Sequence, residues 1–408
     1  MKVLWRQIGM VLASLVGAVA LLVFSSLAWG EPAGSVIDEG PAGSPYVSGE
    51  LIVAFKTGMP DSGGKNLAEK AGANLQDSFP VLDAALLSFP KVENEQSRDA
   101  RERTLEKIKN DLEKNPNVEA ADYNYVRQPS FVPNDPKFTD QYGLKKPGFP
   151  QAWDTVRGNG VKVGVVDTGI SARHVDLRGK VAAQKDFVTG DGKANDDVGH
   201  GTHVSGIIAA NTDNGRGVAG GCPGCQLVVA KSLDAEGGTD AKISRGILWT
   251  VRRGAKVVNL SLGGPGRSLI LERAVNRAWR HGAIVVSAAG NEDTSTPSYP
   301  AAYSRAMAVA ATTPTDHRAG FSNFGDWVDI AAPGAHIIST YPGGKYRYFS
   351  GTSMASPEVA ALAGLLADEG LSNGKIRDRL QGTAKDLGKN GRDPYYGAGR
   401  IDADKAVR

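Results

Sequence analysis

The sequence predicts an α/β domain built on a parallel sheet with helices on both faces, preceded by a smaller α+β unit. Apolar runs such as VKVGVVD and KVVNLSL alternate with helical stretches in the second half of the chain. Strands that are apolar on both faces and joined by helices are typical of a covered parallel sheet. The chain has 408 residues, 41% of them hydrophobic, which is enough for a large domain and a smaller one.

The N-terminal segment carries the pattern of an export signal. Lys2 and Arg6 precede an apolar run over residues 8–29, and small residues close the run. We therefore expect residues 1–30 to be a signal peptide and the rest of the chain to be secreted. The apolar run is also long enough to span a bilayer, so a protein anchored to the membrane by this segment is the alternative.

A linker and a compact α+β unit follow the signal. Residues 31–46 are rich in Gly, Pro and Ser, which indicates a linker. The unit is predicted over residues 47–128. Its predicted strands are 50–55, 84–89 and 118–126, and its predicted helices are 65–71 and 97–114.

The larger domain is predicted over residues 129–408, after the Pro-punctuated segment RQPSFVPNDPKF. The strands VKVGVVD, QLVVAKSL, KVVNLSL and AIVVSAAG alternate with a helix after HGTH and with helices over 240–253 and 268–280. Parallel sheets of this kind place their binding sites at the C-terminal ends of the strands.

The charge balance excludes a strong general attraction to polyanions. The chain has 47 Lys and Arg against 44 Asp and Glu. We expect no nucleic-acid partner, and membrane contact only if the N-terminal segment is retained. We expect a monomer.

Three motifs place chemically active side chains at the ends of strands or the starts of helices. Asp167 ends VKVGVVD, His200 and His203 lie in GHGTHVSG, and Ser353 in GTSMASPE begins an apolar helix. Taken singly, these motifs fit a turn former, a structural or metal-binding histidine pair and a helix N-cap. Together, Asp, His and Ser follow one of the chain orders in which acyl-transfer triads occur. The pattern alone does not choose between the two histidines.

The two cysteines, Cys222 and Cys225 in GGCPGCQL, support two hypotheses. In an exported chain we expect them to form a short-loop disulfide. Together with His200 and His203 they also have the composition of a zinc site, so a zinc-dependent hydrolase is the rival function.

At five motifs the chain resembles the subtilisin-like serine proteases, and their thermitase-like group most closely. The motifs VVDTGI, GHGTHVSG, NLSLGG, SAAGNE and GTSMASPEVA occur in the order of that family, from about residue 132 to the C-terminus. The resemblance implies a mostly seven-stranded subtilisin-like sheet. It also implies a serine endopeptidase that hydrolyses protein or peptide substrates through an acyl-enzyme.

The resemblance assigns roles to the residues of these motifs. It makes Asp167 the orienting acid, His200 the general base and Ser353 the nucleophile. Asn291 in SAAGNE matches the side chain that donates to the developing oxyanion. His203 is then a structural residue. Backbone segments that match the substrate-binding strands of the family contain Gly237, Gly238, Ser261, Leu262, Gly263, Ala288, Ala289 and Gly290.

The α+β unit resembles the inhibitory prodomain of the same family. The resemblance implies a ferredoxin-like fold and a prepro-precursor that the protease cleaves between residues 126 and 134. The protein's own propeptide would then be its intramolecular inhibitor. An unrelated α+β binding domain is the alternative.

The resemblance further implies a structural Ca²⁺ ion. The residues that match its oxygen ligands are Asp135, Asp176, Asn211, Asn214, Arg216 and Val218. Asp186, Asp191 and Asn195 lie where a second site would be, but Thr189 and Lys193 replace oxygen donors that relatives offer there.

Two residues depart from the family pattern in the helix that begins at Ser353. Glu358 stands where the family usually has His, and Ala361 stands where Gly is common. A non-catalytic binding relative is a further alternative, although such proteins generally lose a triad residue or the oxyanion Asn.

Overall fold

The computed structural model describes residues 36–39, 45–56, 63–126 and 131–408. The predicted signal peptide lies outside the described residues. So do residues 31–35 and 40–44 of the predicted linker and residues 127–130 of the predicted cleavage segment. The described residues form two compact units, one up to Val126 and one from Phe131 onward. Within these ranges every helix is too short or too polar to cross a bilayer.

The first unit is an α+β fold with five strands and three α-helices among its described residues. In chain order its elements are β1 (Ile37–Glu39), β2 (Pro45–Phe55), α1 (Gly63–Ala71), β3 (Asn74–Phe79), a 3₁₀ helix (Pro80–Leu82), β4 (Ala84–Ser88), α2 (Pro90–Glu93), α3 (Arg98–Glu113) and β5 (Val118–Tyr125).

The sheet of the first unit has the strand order expected of a ferredoxin-like fold. Strand β2 pairs with β4 on one side and with β5 on the other, and β3 pairs with β4, all antiparallel. Alternate residues of β2, including Leu51 and Val53, are buried with Leu87 and Leu105 in one core. The α+β prediction is thus confirmed, although the predicted elements omitted β1, β3 and α2.

The linker prediction for residues 31–46 is wrong where β1 lies. This strand pairs antiparallel with the start of β2. Asp38 of β1 is buried and accepts two hydrogen bonds from the Arg101 guanidinium of α3, at 2.8 and 2.6 Å. The hydrogen bonds from Arg101 lower the pKa of Asp38. Residues 37–39 are therefore paired with β2 and tied by an ion pair to a helix far along the chain, which local composition does not show.

The second unit contains the remaining elements. They are a 3₁₀ helix (Phe138–Asp140), α4 (Tyr142–Lys145), α5 (Phe149–Thr155), β6 (Lys162–Asp167), β7 (Val181–Asp186), α6 (His200–Ala209), β8 (Gln226–Lys231), α7 (Asp240–Arg252), β9 (Val257–Leu260), α8 (Leu269–Arg280), β10 (Ile284–Ala288), β11 (Ala306–Thr312), β12 (Ile330–Pro333), β13 (Ile337–Tyr341), β14 (Lys345–Phe349), α9 (Thr352–Asp368), α10 (Asn373–Gly382) and α11 (Ala403–Ala406).

Seven strands of the second unit form one parallel sheet in the order β12-β11-β10-β9-β6-β8-β7. Strands β8, β9 and β10 are buried almost throughout, as their continuous apolar sequences predict. The strand order changes direction beside β6, because β8 and β9 lie on its two sides. Crevices at such switch points, at the C-terminal ends of the strands, are where α/β proteins bind their ligands. The predicted seven-stranded parallel fold is confirmed.

Candidate active site

The C-terminal end of β6 and the start of α6 bring Asp167 and His200 together. Asp167 Oδ1 lies 2.8 Å from His200 Nδ1, and the Asp167 side chain is 2% exposed against 28% for His200. Burial lowers the pKa of His200, but the charge and hydrogen bond of Asp167 and the charge of Asp196 outweigh it. The net pKa of His200 therefore lies above its ordinary value. A carboxylate on Nδ1 leaves Nε2 as the nitrogen that can accept a proton.

Asp196 holds the beginning of α6, and our reading of the sequence missed it. Its Oδ1 accepts from the Thr168 hydroxyl and from the N–H groups of Val198 and Gly199. Its Oδ2 accepts from the N–H and the hydroxyl of Thr202. These bonds satisfy donors at a helix start and fix the orientation of the turn that carries His200. The sequence signal that could have identified Asp196 is its position three residues before the motif GHGTH.

His203 lies three residues further along α6 in a different environment. Its Nε2 lies 2.9 Å from the carbonyl oxygen of Arg347, and its ring stacks on Phe349 with centroids 4.5 Å apart. Burial lowers its pKa to about 4, so the ring is neutral at physiological pH. Of the two histidines, His200 is the one next to Asp167.

Ser353 is the half-buried residue in the otherwise buried first turns of α9. Its hydroxyl donates to the carbonyl oxygen of Ser261 at 3.3 Å, whereas no hydrogen bond joins it to His200 within the described residues. The Ser353 N–H lies in the first turn of the helix, where N–H groups have no intrahelical acceptor. Catalytic hydrogen bonds are often longer or absent without substrate, so this geometry is compatible with a nucleophile.

Pro357 and Ser261 together shape the start of α9. Pro357 has no N–H, so the carbonyl of Ser353, four residues earlier, receives no helical hydrogen bond. The Ser261 hydroxyl donates to that carbonyl oxygen at 2.9 Å. Buried Asn259 donates to the Ser261 hydroxyl at 2.9 Å and accepts from Ser356 at 2.8 Å. This network joins β9 to the nucleophile helix, and our reading of the sequence identified neither Asn259 nor Ser356.

Asn291 is oriented by Thr352, the neighbour of Ser353. Asn291 Oδ1 accepts from the Thr352 N–H at 2.8 Å and from the Thr352 hydroxyl at 3.0 Å. Because a backbone N–H can only donate, the atom that faces it must be the amide oxygen. The Asn291 side chain is exposed, so its NH₂ group is left free to donate to a ligand. Asn291 and the Ser353 N–H are thus donors on adjoining segments, as an oxyanion site requires.

The two predicted substrate-binding walls follow β9 and β10. Ser261 is buried, Leu262 is half-buried and Gly263 is exposed, whereas Ala288 and Ala289 are buried and Gly290 is half-buried. A Cβ built on Gly263 would lie 3.8 Å from the Ala288 carbonyl oxygen and 2.8 Å from Ser298 Oγ. The two walls therefore approach each other closely, and a side chain at residue 263 would fill the space between them.

The structure treats Gly237 and Gly238 differently. The Gly237 N–H and carbonyl are both paired with Asp234 in a tight turn, at 3.2 and 3.0 Å. Gly237 has a positive φ of 100°, which that turn needs and which glycine adopts readily. No backbone hydrogen bond engages Gly238 within the described residues. Gly238 is therefore the better placed of the two to pair with an extended peptide.

The predicted calcium site consists of Asp135, Asp176 and four residues of the loop after α6. Both carboxylates are buried and neither forms an ion pair with a cationic side chain within the described residues. Burial, and the charge of Asp176 in addition, raise the pKa of Asp135. The loop closes on them, with the Asp213 N–H on Asp135 Oδ2 at 2.7 Å and the Val218 N–H on Asp176 Oδ2 at 3.0 Å.

The other predicted ligands lie in the same loop. The Asn214 amide lies 3.0 Å from Asp176 Oδ1, the Arg216 N–H donates to Asn214 Oδ1, and the Asn211 N–H donates to the Asp176 carbonyl. Two buried carboxylates without a cationic partner, among carbonyl and amide oxygens, fit a hard divalent cation.

The second acidic segment is organised differently. Asp186 Oδ1 accepts from the N–H groups of Val188 and Thr189. The Thr189 hydroxyl lies 3.1 Å from Asp186 Oδ2 and 3.3 Å from Asp191 Oδ2. Asn195 contributes its carbonyl to Lys231. The carboxylates of Asp186 and Asp191 thus accept hydrogen bonds within a local turn. Thr189, which replaces an oxygen donor that relatives offer to a second ion, lies between the two carboxylates.

The two cysteines are joined in a disulfide, Cys222–Cys225. Their sulfurs pack against glycines, because a Cβ built on Gly158 or Gly364 would come within 2.0 or 2.8 Å of a sulfur atom. Cysteines bonded to each other are not available as zinc ligands. Among the described residues no three His, Cys, Asp or Glu side chains are grouped as a metal site.

Known proteins share both parts of this architecture. The model of the subtilase family, peptidase S8, matches residues 158–399, which is more than half of the chain. The chain belongs to the subtilase family. The model of the fervidolysin N-terminal prodomain matches residues 32–124.

Two relatives of this subtilase each align with more than two thirds of the chain. Thermitase of Thermoactinomyces vulgaris is 46% identical over 280 residues, which cover 68% of this chain and 100% of thermitase. The thermophilic serine proteinase of Bacillus sp. strain AK1 is 41% identical over 370 residues, covering 89% of this chain and 88% of its own. A solved protease structure from Pseudoalteromonas arctica PAMC 21717 is 32% identical with a TM-score of 0.64, covering 68% of this chain and 99% of that one. This subtilase is therefore a subtilisin-like serine protease with an N-terminal prodomain.

Glu358 is the main departure of this subtilase from its family near the site. The side chain is buried between α9 and α4, and its Oε2 has no hydrogen-bond partner in the part of the chain that the structure describes. A Cβ built on Gly143 would lie 2.1 Å from Glu358 Oε1, so a glycine at residue 143 makes room for the acid. A cavity of about 10 Å³ lies beside it, also lined by Ile207 of α6 and Ile337.

The surroundings of Glu358 favour its neutral form. Burial raises its pKa well above the ordinary value, and the charge of Arg400 offsets only part of this effect. Ala361, the second departure, packs against Gly221, where a Cβ would lie 2.8 Å from the Ala361 methyl group.

Proposed function

We propose that this subtilase is a secreted, calcium-stabilised endopeptidase that matures by cutting its own precursor. The observation that carries the proposal is the Asp167–His200 pair at 2.8 Å, at the C-terminal ends of the strands, with Ser353 in the first turn of α9. Protein and peptide chains are its proposed substrates. Extended backbone would be bound by the segments at 237–238, 261–263 and 288–290.

The proposed reaction uses Ser353, His200 and Asp167 in fixed roles. The Ser353 Oγ attacks the scissile carbonyl carbon while His200 Nε2 takes its proton, which gives a tetrahedral oxyanion and an imidazolium. His200 returns the proton to the leaving amine as the C–N bond breaks, which leaves an acyl-enzyme. Water, deprotonated by His200, then cleaves the acyl ester and restores the Ser353 hydroxyl.

Two further features would lower the barrier of this reaction. The Asp167 carboxylate on Nδ1 stabilises the imidazolium and is consistent with the raised pKa of His200. The free NH₂ group of Asn291 and the Ser353 N–H are the proposed donors to the oxyanion. Thr352 fixes Asn291 before substrate arrives, so no reorganisation is needed as the negative charge develops.

The experiment that tests this function compares the wild type with Ser353→Ala. The wild type should digest casein and lose its N-terminal region by a cut between residues 126 and 134, whereas Ser353→Ala should do neither. Equal processing of both proteins, or equal digestion of casein, would overturn the proposal. Ser304→Ala is a matched control, because it removes a hydroxyl from an exposed serine outside the proposed site.

Maturation and location are the parts of the proposal that rest on resemblance. The prodomain match over residues 32–124 supports a role for the first unit as intramolecular inhibitor. The charged, apolar and small residues of segment 1–30 support export. N-terminal sequencing of secreted Ser353→Ala tests the signal cut, and that of the secreted wild type tests the cut between residues 126 and 134.

Calcium is the proposed structural cofactor. Asp135 and Asp176, the Asn214 side chain and the carbonyls of Asn211, Arg216 and Val218 would hold it. A bound cation would neutralise the two buried carboxylates and tie the loop after α6 to the start of the domain.

A further inference from the structure

A groove between α7 and α8 is lined by arginines that none of the roles above uses. Its volume is about 480 Å³, and Arg252 of α7 and Arg273, Arg277 and Arg280 of α8 contribute to its walls. We call this feature the arginine groove. The three arginines of α8 are spaced four and three residues apart, which places them on one face of the helix.

The charge of the arginine groove is not compensated. None of its four guanidinium groups forms an ion pair or stacks on an aromatic ring within the described residues. Among the described residues no carboxylate lines the groove, and the nearby Glu272 pairs with Arg267 instead. Like charges one turn apart on a helix repel each other. Arg277 and Arg280 lie in the last turn of α8, where the partial negative charge of the helix end offsets part of this repulsion. The chain as a whole has a net charge of only +3, so this cluster is a local feature.

The floor of the arginine groove is mostly apolar. Leu248 and Val251 of α7 and Ala274 of α8 contribute to it, together with the buried Ser244 hydroxyl, which has no hydrogen-bond partner among the described residues. Ile270 also lines the groove and is 54% exposed, a large value for an aliphatic side chain. A ligand with both carboxylates and apolar side chains could pair with the arginines and cover the apolar floor at the same time.

The chain connections relate the arginine groove to the substrate segments. Helix α7 begins directly after Gly238, and α8 begins shortly after Gly263. Both helices connect parallel strands, so both run from the substrate edge of the sheet towards the opposite edge. Helix α8 has 12 residues, a length of about 18 Å, which an extended segment of about five or six residues would match.

We propose that the arginine groove is an exosite for polypeptide substrates, where it binds an acidic, partly apolar segment that flanks the cleaved bond. This inference rests on the proposed peptidase function. Guanidinium groups bind the carboxylates of such a segment in a paired, bidentate geometry, and the apolar floor takes its Leu or Val side chains. An apolar floor between charged walls favours polypeptide over nucleic acid or a sulfated polysaccharide.

The test uses quenched fluorescent peptides that share one cleavable core. One series carries a flanking Asp/Glu/Leu segment on either side of the core, one carries Asn/Gln/Leu in the same order, and one has no flank. In the wild type the acidic flank should lower KM by about tenfold relative to the neutral flank. This gain should shrink as NaCl rises from about 0.05 M to about 0.5 M.

Variants then locate the effect. Arg273→Gln/Arg277→Gln should lose the gain from the acidic flank and cleave the core peptide as the wild type does. Arg277→Lys should retain most of the gain because it keeps the charge. Arg245→Gln is the matched control, since Arg245 is exposed on α7 and does not line the groove. Thermal melts check that the variants are folded.

The outcomes separate this inference from the proposed function. If the wild type fails to cleave any core peptide, the peptidase proposal fails. If it cleaves the core but acidic and neutral flanks give equal KM, or the double variant keeps the gain, the exosite is overturned. Anisotropy titrations of Ser353→Ala should show binding of the labelled acidic segment. Binding of heparin or an oligonucleotide instead, with no acidic peptide bound, would also overturn it.

Discussion

At the scale of single residues, two equally buried acids of this subtilase have different hydrogen-bond partners. Asp167 is almost wholly buried, but it faces His200 and the Thr168 N–H, which stabilise its negative charge. Glu358 is equally buried and lacks such donors among the described residues. Burial therefore favours its protonated, neutral form over the carboxylate. The charge of a carboxyl group is thus decided by the donors that face it.

The stability of the protein should depend on pH through Glu358. The pKa of Glu358 is higher in the folded than in the unfolded chain, where it is near 4.5. The folded state therefore keeps a proton that the unfolded state releases, and the free energy of unfolding falls as pH rises above about 4.5. The other polar groups around Glu358 and its cavity are Asp140, Gln141, Tyr142, His336 and, through its charge, Arg400.

Glu358→Gln tests this, because it keeps the shape and removes the ionisation. In the inactive Ser353→Ala background, the Gln variant should gain stability over Glu358 with increasing pH, by up to about 1.4 kcal/mol per pH unit within the window. Urea unfolding from pH 4 to pH 9 measures it. Glu236→Gln, at an exposed acid, is the control and should show no such trend. A constant difference between Glu358 and Gln at all pH values would contradict the prediction.

At the scale of elements, the site depends on how two helices begin. Helix α6 starts on the carboxylate of Asp196, and α9 starts with its Ser353 carbonyl turned to Ser261, because Pro357 cannot donate to it. In both cases a side chain outside the helix forms a hydrogen bond with a backbone group that has no partner within the helix. His200 and Ser353 lie in these first turns, so their positions follow from these bonds.

Asp196 should tune the pH profile of activity as well as hold α6. Its charge contributes to the raised pKa of His200, which must be neutral to accept the Ser353 proton. In Asp196→Asn the acidic limb of the kcat/KM profile should move to lower pH, and kcat should fall because the start of α6 is loosened. Asp197→Asn is the control: Asp197 is an exposed neighbour that pairs with Lys231. An unshifted limb in Asp196→Asn would show that Asp196 does not act on His200.

Calcium removal should act on the loop after α6 rather than on the chemistry. We expect EGTA to lower Tm, and excess Ca²⁺ at about 100 times Kd to contribute about 2.7 kcal/mol. Asp176→Asn should abolish the response of Tm to Ca²⁺, whereas Asp191→Asn should retain it. Differential scanning calorimetry of inactive Ser353→Ala proteins makes the comparison without autolysis. A calcium response that persists in Asp176→Asn would place the ion elsewhere.

At the scale of the whole molecule, the chain combines two units with separate cores. The core of the first unit lies between its antiparallel sheet and helices, and that of the second surrounds α9 and the parallel sheet. Each unit has the buried apolar surface of an independent domain. This organisation is compatible with the proposed removal of the first unit after folding.

If maturation is intramolecular, its rate should not depend on protein concentration. We expect first-order loss of the precursor with the same rate constant over a hundredfold dilution, followed on gels after refolding. Mixing a trace of mature enzyme with Ser353→Ala precursor measures cleavage between molecules. A rate that rises in proportion to concentration would contradict self-processing.

The sequence by itself determined the features that depend on residues close together in the chain, namely the buried strands and the element boundaries. Strands buried on both faces, such as β9 and β10, require continuous apolar residues, so their runs predict a covered parallel sheet. Asp167, His200 and Ser353 lie at element boundaries that such runs mark. The family motifs then chose His200 over His203, which periodicity could not do.

Tertiary structure decided what depends on residues far apart in the chain. Strand β1 is ordered by Arg101, Asn291 is turned by Thr352, and Glu358 finds its space at Gly143. The half-exposed edge strand β7 has too few apolar residues to be recognised alone. The physical reason is that hydrogen-bond partners and burial depend on residues that meet only in the folded protein. A local sequence pattern indicates only which side chains need to be buried.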